Sequence, residues 1–321
     1  MKAVQFHHYG GPEVLQLSTR VAKPSPDENQ VLIRVMAAGV NPLDTYIRAG
    51  EFGEVALPHT IGWDTAGVVE AVGPGVERFS PGDRVYTMKT VTGGCAEFTV
   101  ADQNYVGHLD QALSFEEGAC VGIPYYTAYK ALITLARARP GDNVLIHGAS
   151  GGVGVAASQL AKAHGMKVNG TAGTDEGISF AKDNGCINVF NHRHRGYVNQ
   201  LLDTTDGDGY DVIIEMAAHA NMDSDVELMR RNGRTIIVGS AGEVKFSPLS
   251  TMLKENWFRG ISVQTSSPEE LVEFRNAIEA GQRSGWVRPK IGSSFPMQKA
   301  REAHKLLNSR KGAKGKIVIT I

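Results

Sequence analysis

The run Val144-Leu145-Ile146-His147-Gly148-Ala149-Ser150-Gly151-Gly152-Val153-Gly154 sets a glycine-rich turn between an apolar strand and the start of an apolar-striped helix. Few folds accommodate that succession. It is a variant of the dinucleotide fingerprint, with Ala149 in place of the first glycine. Gly151 lets the backbone approach a pyrophosphate, and Gly154 lets the helix lie close on the strand. The helix N-terminus adds N–H groups and the positive end of its dipole. The helix is predicted from about 154 to 164 and closed by Gly165, with Val153, Ala157, Leu160 and Ala161 on its buried stripe. A purely structural glycine turn is the competing explanation; the alternation of strands and helices downstream favours the dinucleotide.

From about residue 124 onward, strands and helices alternate. Strands are expected at 143–147, 167–171, 211–216, 234–239 and 260–265, and helices at 176–184, 197–202 and 224–231, which is the pattern of a parallel sheet wrapped by helices. A further helix over 269–280 carries Ser267 at its N-cap, Pro268 at its first position, Glu269 and Glu270 in its first turn and Gly281 beyond its end. A helix near 298–308 and a strand at 316–321 finish the chain, the strand being able to return to the N-terminal part. Before residue 124 the texture is different. Short strands at 2–6, 30–36, 67–72 and 84–87 are punctuated by Gly11-Pro12, Gly73-Pro74 and Pro81-Gly82, which predicts a mainly antiparallel, partly barrel-like domain.

With 321 residues the chain is long enough for two such domains. Its 33 Lys and Arg balance 34 Asp and Glu, so no global field gathers nucleic acid or anionic membrane. No apolar run approaches the ~20 residues that span a bilayer, and no signal-like block opens the sequence, so a cytoplasmic location is expected. Cys95, Cys120 and Cys186 are odd in number and widely spaced, and are expected to be buried free thiols.

NAD-specific sites place an acidic residue about 20 residues after the glycine turn, where it binds the adenosine ribose. Thr171-Ala172-Gly173-Thr174 stands there instead. A 2′-phosphate meets no repulsion at that place, and the cluster His192-Arg193-His194-Arg195 offers it partners, each charge-assisted bond contributing roughly 1.5–3 kcal/mol. NADPH is therefore the expected cofactor. Asp175 and Glu176 just beyond argue the other way, and the basic run is otherwise a solvated loop.

These residues resemble the medium-chain dehydrogenase/reductase superfamily, and within it the zinc-independent, zeta-crystallin-like quinone oxidoreductases. The resemblance runs the whole length. It is carried by Gly10-Gly11-Pro12-Glu13-Val14-Leu15, by Gly39-Val40-Asn41-Pro42-Leu43-Asp44-Thr45-Tyr46-Ile47-Arg48, by Gly122-Ile123-Pro124-Tyr125-Tyr126-Thr127-Ala128-Tyr129 and by the turn itself. Thr171-Ala172-Gly173-Thr174, Phe190-Asn191-His192-Arg193 and Val238-Gly239-Ser240 continue it. It implies an α/β protein in which a Rossmann doubly wound parallel sheet over 124–265 is joined to a GroES-like, mainly antiparallel β domain over 1–123 and 266–321.

The same resemblance implies site residues. Tyr46 and Thr127 would line the nicotinamide, and Ser150, Gly151, Gly152 and Val153 the pyrophosphate. Gly173, His192 and Arg193 would lie at the adenosine end, with Asn221, Val238, Gly239 and Ser240 along the strand ends. Asn41 and Tyr46 would orient the acceptor, and the Tyr46 hydroxyl is a candidate proton donor. Zinc-dependent relatives hold a catalytic metal with a Cys matching the segment of Asn41 and a His matching Trp63; neither residue here replaces those ligands. No metal is expected, and an electron-poor acceptor, a quinone, is favoured. A 2-alkenal or enone reductase is the alternative enzyme, and an NADPH-sensitive RNA-binding or crystallin-like protein the alternative of another class. Ala241 stands where close relatives often carry Arg, which loosens the NADPH preference. Family members are commonly homodimers or homotetramers, for which an exposed strand at 260–265 could pair across a two-fold axis. The remaining histidines, His147 among them, show no metal-ligand spacing.

Overall fold

The computed structural model describes residues 1–309 and 312–321. They form two units: Met1–Pro124 with the stretch from Ser267 onward apart from Gly312–Lys314, and Tyr125–Ser266 with Gly312–Lys314.

In the first unit the strand Gln30–Val40 is the centre of a mainly antiparallel sheet, in which only Ile291–Pro296 pairs in parallel, with Lys316–Thr320, among the described residues. Asp64–Val72 runs along one side of it. On the other side Phe98–Asp102 pairs with its first half and the C-terminal strand Lys316–Thr320 with its second, Ala37 to Val40 facing Thr320 to Ile317. Val31, Ile33 and Val35 are buried, and so is Leu32, because both faces of this strand are covered there. The helix Pro42–Ala49 follows at once. Asn41 and Asp44 close a capping box, Pro42 takes the first position and Gly50 ends the helix in the left-handed conformation. Phe6, Leu15, Val40, Leu43, Ile47 and Ile319 belong to one apolar cluster that seats this helix.

The helix Pro268–Ser284 has the expected start, with Ser267 accepting from the backbone of Glu270. Its end differs from the prediction. Gly281 lies inside the helix, where a Cβ would come within 2.3 Å of the Trp286 ring; its small size serves packing, and Gly285 makes the left-handed cap.

In the second unit the spatial order is Asn188–Asn191, Lys167–Ala172, Asn143–Ile146, Tyr210–Glu215, Met229–Ile237 and Trp257–Gly260, with every neighbouring pair parallel. This is a doubly wound sheet whose strand order reverses beside the first strand. Two expected elements move. The helix placed at 224–231 is Ala218–Leu228, because Met229 leaves helical geometry and pairs with Tyr210, and Asn232 then turns the chain at φ 59°. The last strand ends at Gly260 where it was expected to begin. Trp257 to Gly260 pair with Arg234 to Ile237, and Val263–Thr265 is a 3-10 turn that buries Val263. Cys95, Cys120 and Cys186 are free and buried. No helix among the described residues is long and apolar enough to cross a membrane.

One buried pair in the first unit makes stability depend on pH. Arg48 donates to the carbonyl of Gly10 (3.0 Å), and its Nη1 lies 2.8 Å from Nδ1 of buried His304. Burial, and then the Arg48 charge, pushes the His304 imidazole down to about 3, so the native ring is neutral and accepts from Arg48. An unfolded histidine titrates near 6.5 and takes up a proton the native one refuses. The stability this contributes is complete above about pH 6.5 and is lost as pH falls from there toward 3. Urea unfolding of His304→Gln, which keeps an acceptor for Arg48, should show a shallower acid decline below about pH 6.5, by up to ~1.4 kcal/mol per pH unit. Parallel curves for the two proteins would contradict this linkage.

Candidate active site

The glycine turn begins where the strand Asn143–Ile146 ends. Gly148 has φ +65°, a conformation that glycine adopts without a Cβ penalty, and Gly151 caps the helix Gly152–Ala163 in extended geometry. A Cβ on Gly154 would lie 2.4 Å from the Gly148 carbonyl oxygen, so this helix rests directly on the turn. Gly151 is different. Among the described residues a Cβ there meets nothing nearer than Ala313, at 3.4 Å, so their packing does not demand a glycine at this place. What a missing Cβ provides there is room for a ligand against the backbone. The first turn of the helix leaves N–H groups without intrahelical acceptors, which is the chemistry an anion needs. The donor set and the open cradle at Ser150, Gly151, Gly152 and Val153 fit a pyrophosphate.

At the end of Lys167–Ala172, Gly173 has His192 and Arg193 against it: a Cβ would lie 3.0 Å from His192 Nε2 and 3.1 Å from Arg193 Nε. The structure thus brings the adjacent pair His192 and Arg193 to Gly173, from which the sequence separates them. Asp175 and Glu176 are exposed in the first turn of the helix Asp175–Asp183, which Thr174 caps through Gly177; they complement that helix's dipole. Asn221, Val238, Gly239 and Ser240 also converge. Asn221 donates to both oxygens of Glu215 (3.2 and 3.0 Å), Val238 N–H donates to the Glu215 carbonyl (2.8 Å), and Ala218 N–H to that of Gly239 (3.0 Å). Ser240 Oγ donates to the Gly242 carbonyl, and Ala241 N–H to His219. Thr127 is buried on the helix Gly122–Tyr129 and takes no part in these bonds.

The first unit holds the two candidates for the acceptor. Tyr46, on the helix Pro42–Ala49, is 40% exposed. Asn41 is buried and its amide is engaged at both ends: Nδ2 donates to Asp64 Oδ2 (3.0 Å), and Lys316 Nζ donates to Oδ1. Lys316 also donates to Asp64 Oδ2 (2.9 Å), and Ile123 N–H to Asp64 Oδ1 (2.8 Å). Burial pushes the Asp44 carboxyl up to about 7, against the hydrogen bond from Asn41 and the Lys316 charge. Trp63 packs on the apolar cluster, with Lys89 Nζ 5.3 Å from its ring. Asp64, Lys316, Asp44 and Glu215 were not among the residues singled out from sequence. The only local hint is a lone acid heading an apolar strand, as Asp64 and its successors do.

A Rossmann sheet bearing a dinucleotide turn, together with a chain-return antiparallel unit, defines an oxidoreductase of the medium-chain dehydrogenase/reductase type. A family model described as an alcohol dehydrogenase GroES-like domain matches residues 27–136, and one described as a zinc-binding dehydrogenase matches residues 152–280. The chain is 48% identical to the quinone oxidoreductase of Lama guanicoe over 322 residues, covering 100% of this chain and 98% of that one. Among solved structures, Escherichia coli quinone oxidoreductase complexed with NADPH has a TM-score of 0.91 at 30% identity, with 100% of both chains covered. A mycobacterial protein complexed with NADPH has a TM-score of 0.91 at 27% identity, again with 100% of both chains covered. The chain belongs to the quinone oxidoreductase family of the medium-chain dehydrogenases/reductases.

The two glycines of the turn should separate in unfolding experiments. Gly154→Ala is expected to cost about 1–3 kcal/mol of stability, because backbone must move. Gly151→Ala should leave stability within ~0.5 kcal/mol of the parent. The reverse order would mean that the packing of this turn is misassigned.

Proposed function

We propose that the protein reduces quinones with NADPH and does so without zinc. The observation that carries the cofactor choice is the grouping of His192 and Arg193 over Gly173, with no carboxylate at the end of that strand. Full-length similarity to quinone oxidoreductases, and the NADPH in two structures of the same fold, support the rest. When bound, NADPH supplies the reducing equivalents. The chain's task is to hold and aim: Ser150, Gly151, Gly152 and Val153 take the pyrophosphate, and Gly173, His192 and Arg193 the adenosine phosphate. Asn221, Val238, Gly239 and Ser240 follow the strand ends, and Thr127 serves the nicotinamide.

For the acceptor, exposed Tyr46 is the contact residue and its hydroxyl the proton donor. Asn41 works through position, since its amide is spent on Asp64 and Lys316 and its backbone starts the helix that carries Tyr46. Reduction without zinc is supported by that same amide: Asn41 offers no thiolate, Trp63 offers no imidazole, and Asp64 is already neutralised by Lys316. A quinone needs no Lewis acid to accept electrons. The protein is cytoplasmic and a homodimer or homotetramer in this reading. The edge strand Trp257–Gly260, with Leu249 and Leu253 66% and 86% exposed nearby, offers unpaired backbone to a second copy.

Oxidation of NADPH and NADH by chelator-treated protein, with ortho- and para-quinones beside simple enones and alkenals, tests this reading. Quinone turnover that prefers NADPH is expected. Arg193→Ala should raise KM for NADPH by about tenfold and leave that for NADH nearly unchanged. Turnover confined to enones would move the function to double-bond reduction. Tight NADPH binding without any turnover would make it a binding protein.

A further inference from the structure

At the carboxyl ends of Asn143–Ile146 and Tyr210–Glu215 three ionisable side chains are buried together. His147 Nε2 is 3.1 Å from Asp225 Oδ1 and 3.8 Å from Glu215 Oε2, and all three residues are shielded from solvent. Two carboxylates buried side by side repel, so keeping both ionised takes a cation between them. The imidazole supplies it. Burial opposes charge on the ring, but the Asp225 carboxylate 3.1 Å away, and then the Glu215 charge, overrule it and hold His147 above its ordinary range. Burial likewise pushes the Glu215 carboxyl up, and the His147 charge counters that.

Several contacts leaving this cluster lead toward the candidate cofactor residues. His147 Nδ1 is 3.1 Å from Thr171 Oγ1, which also accepts from Gly148 N–H of the glycine turn (3.3 Å). Thr171 precedes Gly173 on its strand by two residues. Glu215 accepts from Ala217 N–H and, with both oxygens, from Asn221 Nδ2. A carboxylate only accepts, so it fixes which way the Asn221 amide faces. The NH2 group is spent inward and Oδ1 is left to accept from a ligand hydroxyl or amide.

We propose that Glu215, His147 and Asp225 are positioning residues for the dinucleotide: Glu215 aims the Asn221 amide, and His147, steadied by Asp225, balances the buried charge that lets Glu215 do so. The inference rests on the reading of Asn221 as a cofactor residue. Glu215→Gln keeps the volume but leaves one acceptor oxygen in place of two for Ala217 N–H and Asn221 Nδ2, so the amide loses the bidentate hold that aims it. Asp225→Asn removes the partner that keeps the imidazolium in place.

The test is a double-mutant cycle in the full-length protein. NADPH Kd is read from nicotinamide fluorescence, and the thermal midpoint is read without ligand. Glu215→Gln and Asn221→Ala are each expected to weaken binding about tenfold. The double variant should bind no more than about twofold worse than Asn221→Ala, because Glu215 acts through that residue. Additive losses, about 100-fold in the double variant, would overturn the proposal and leave Asn221 as a cofactor residue. Native affinity in Asn221→Ala would overturn both. A fall in thermal midpoint in Glu215→Gln with Kd unchanged would reduce the cluster to a structural role and also overturn it. Should Glu215→Gln fail to fold, Asp225→Asn takes its place in the cycle with the same expected and contrary outcomes.

Discussion

The approach of the helix Gly152–Ala163 to the backbone of Gly148 and Ala149 is the contact on which the second unit depends. A single methyl at Gly154 would sit 2.4 Å from a carbonyl oxygen. The absence of that methyl brings the helix N-terminus to the end of its strand. The strand ends of the second unit lie around this point, because a parallel sheet places them, and hence Thr171, Gly173, Glu215 and Gly239, on one edge.

Both units keep buried charge beside their candidate residues. Lys316 and Asp64 flank Asn41 in the first, and His147, Asp225 and Glu215 flank Asn221 in the second. Removing ions from water costs several kcal/mol each, and their mutual attraction offsets that only when geometry and further hydrogen bonds are good. Such groups are poor sources of stability. Their value is orientation: an amide held by a carboxylate has one direction, and a capped helix has one start. The free energy for folding comes from elsewhere, from clusters such as that of Phe6, Leu15, Val40 and Ile47 and from strands buried on both faces, Val144 to Ile146 among them.

The doubly wound sheet and the antiparallel unit were readable in the sequence because their signals are local. Apolar triplets such as Val144-Leu145-Ile146 mark covered strands, and Ser267-Pro268 followed by Glu269-Glu270 joins a cap, a first-position proline and first-turn acids into a helix start. Errors arose where one residue type serves two purposes. Gly281 has the look of a helix end, yet it makes space for Trp286, and Val263 after Gly260 is apolar because it turns inward in a 3-10 turn rather than because it pairs. The candidate residues on the glycine turn were readable for the same local reason. The partners that aim them were not: Lys316 reaches Asp64 across 252 positions, and His147 is an ordinary strand-end histidine until Asp225 is folded against it. No spacing rule links such residues, since only the tertiary fold makes them neighbours.

The most direct measurement is a crystal structure of the protein with NADPH. The account predicts the pyrophosphate against the Gly151 backbone and within hydrogen-bond distance of the N–H groups of Gly152 and Val153, with the adenosine 2′-phosphate against His192 and Arg193. A dinucleotide bound elsewhere, or one whose 2′-phosphate faces away from those two side chains, would contradict it.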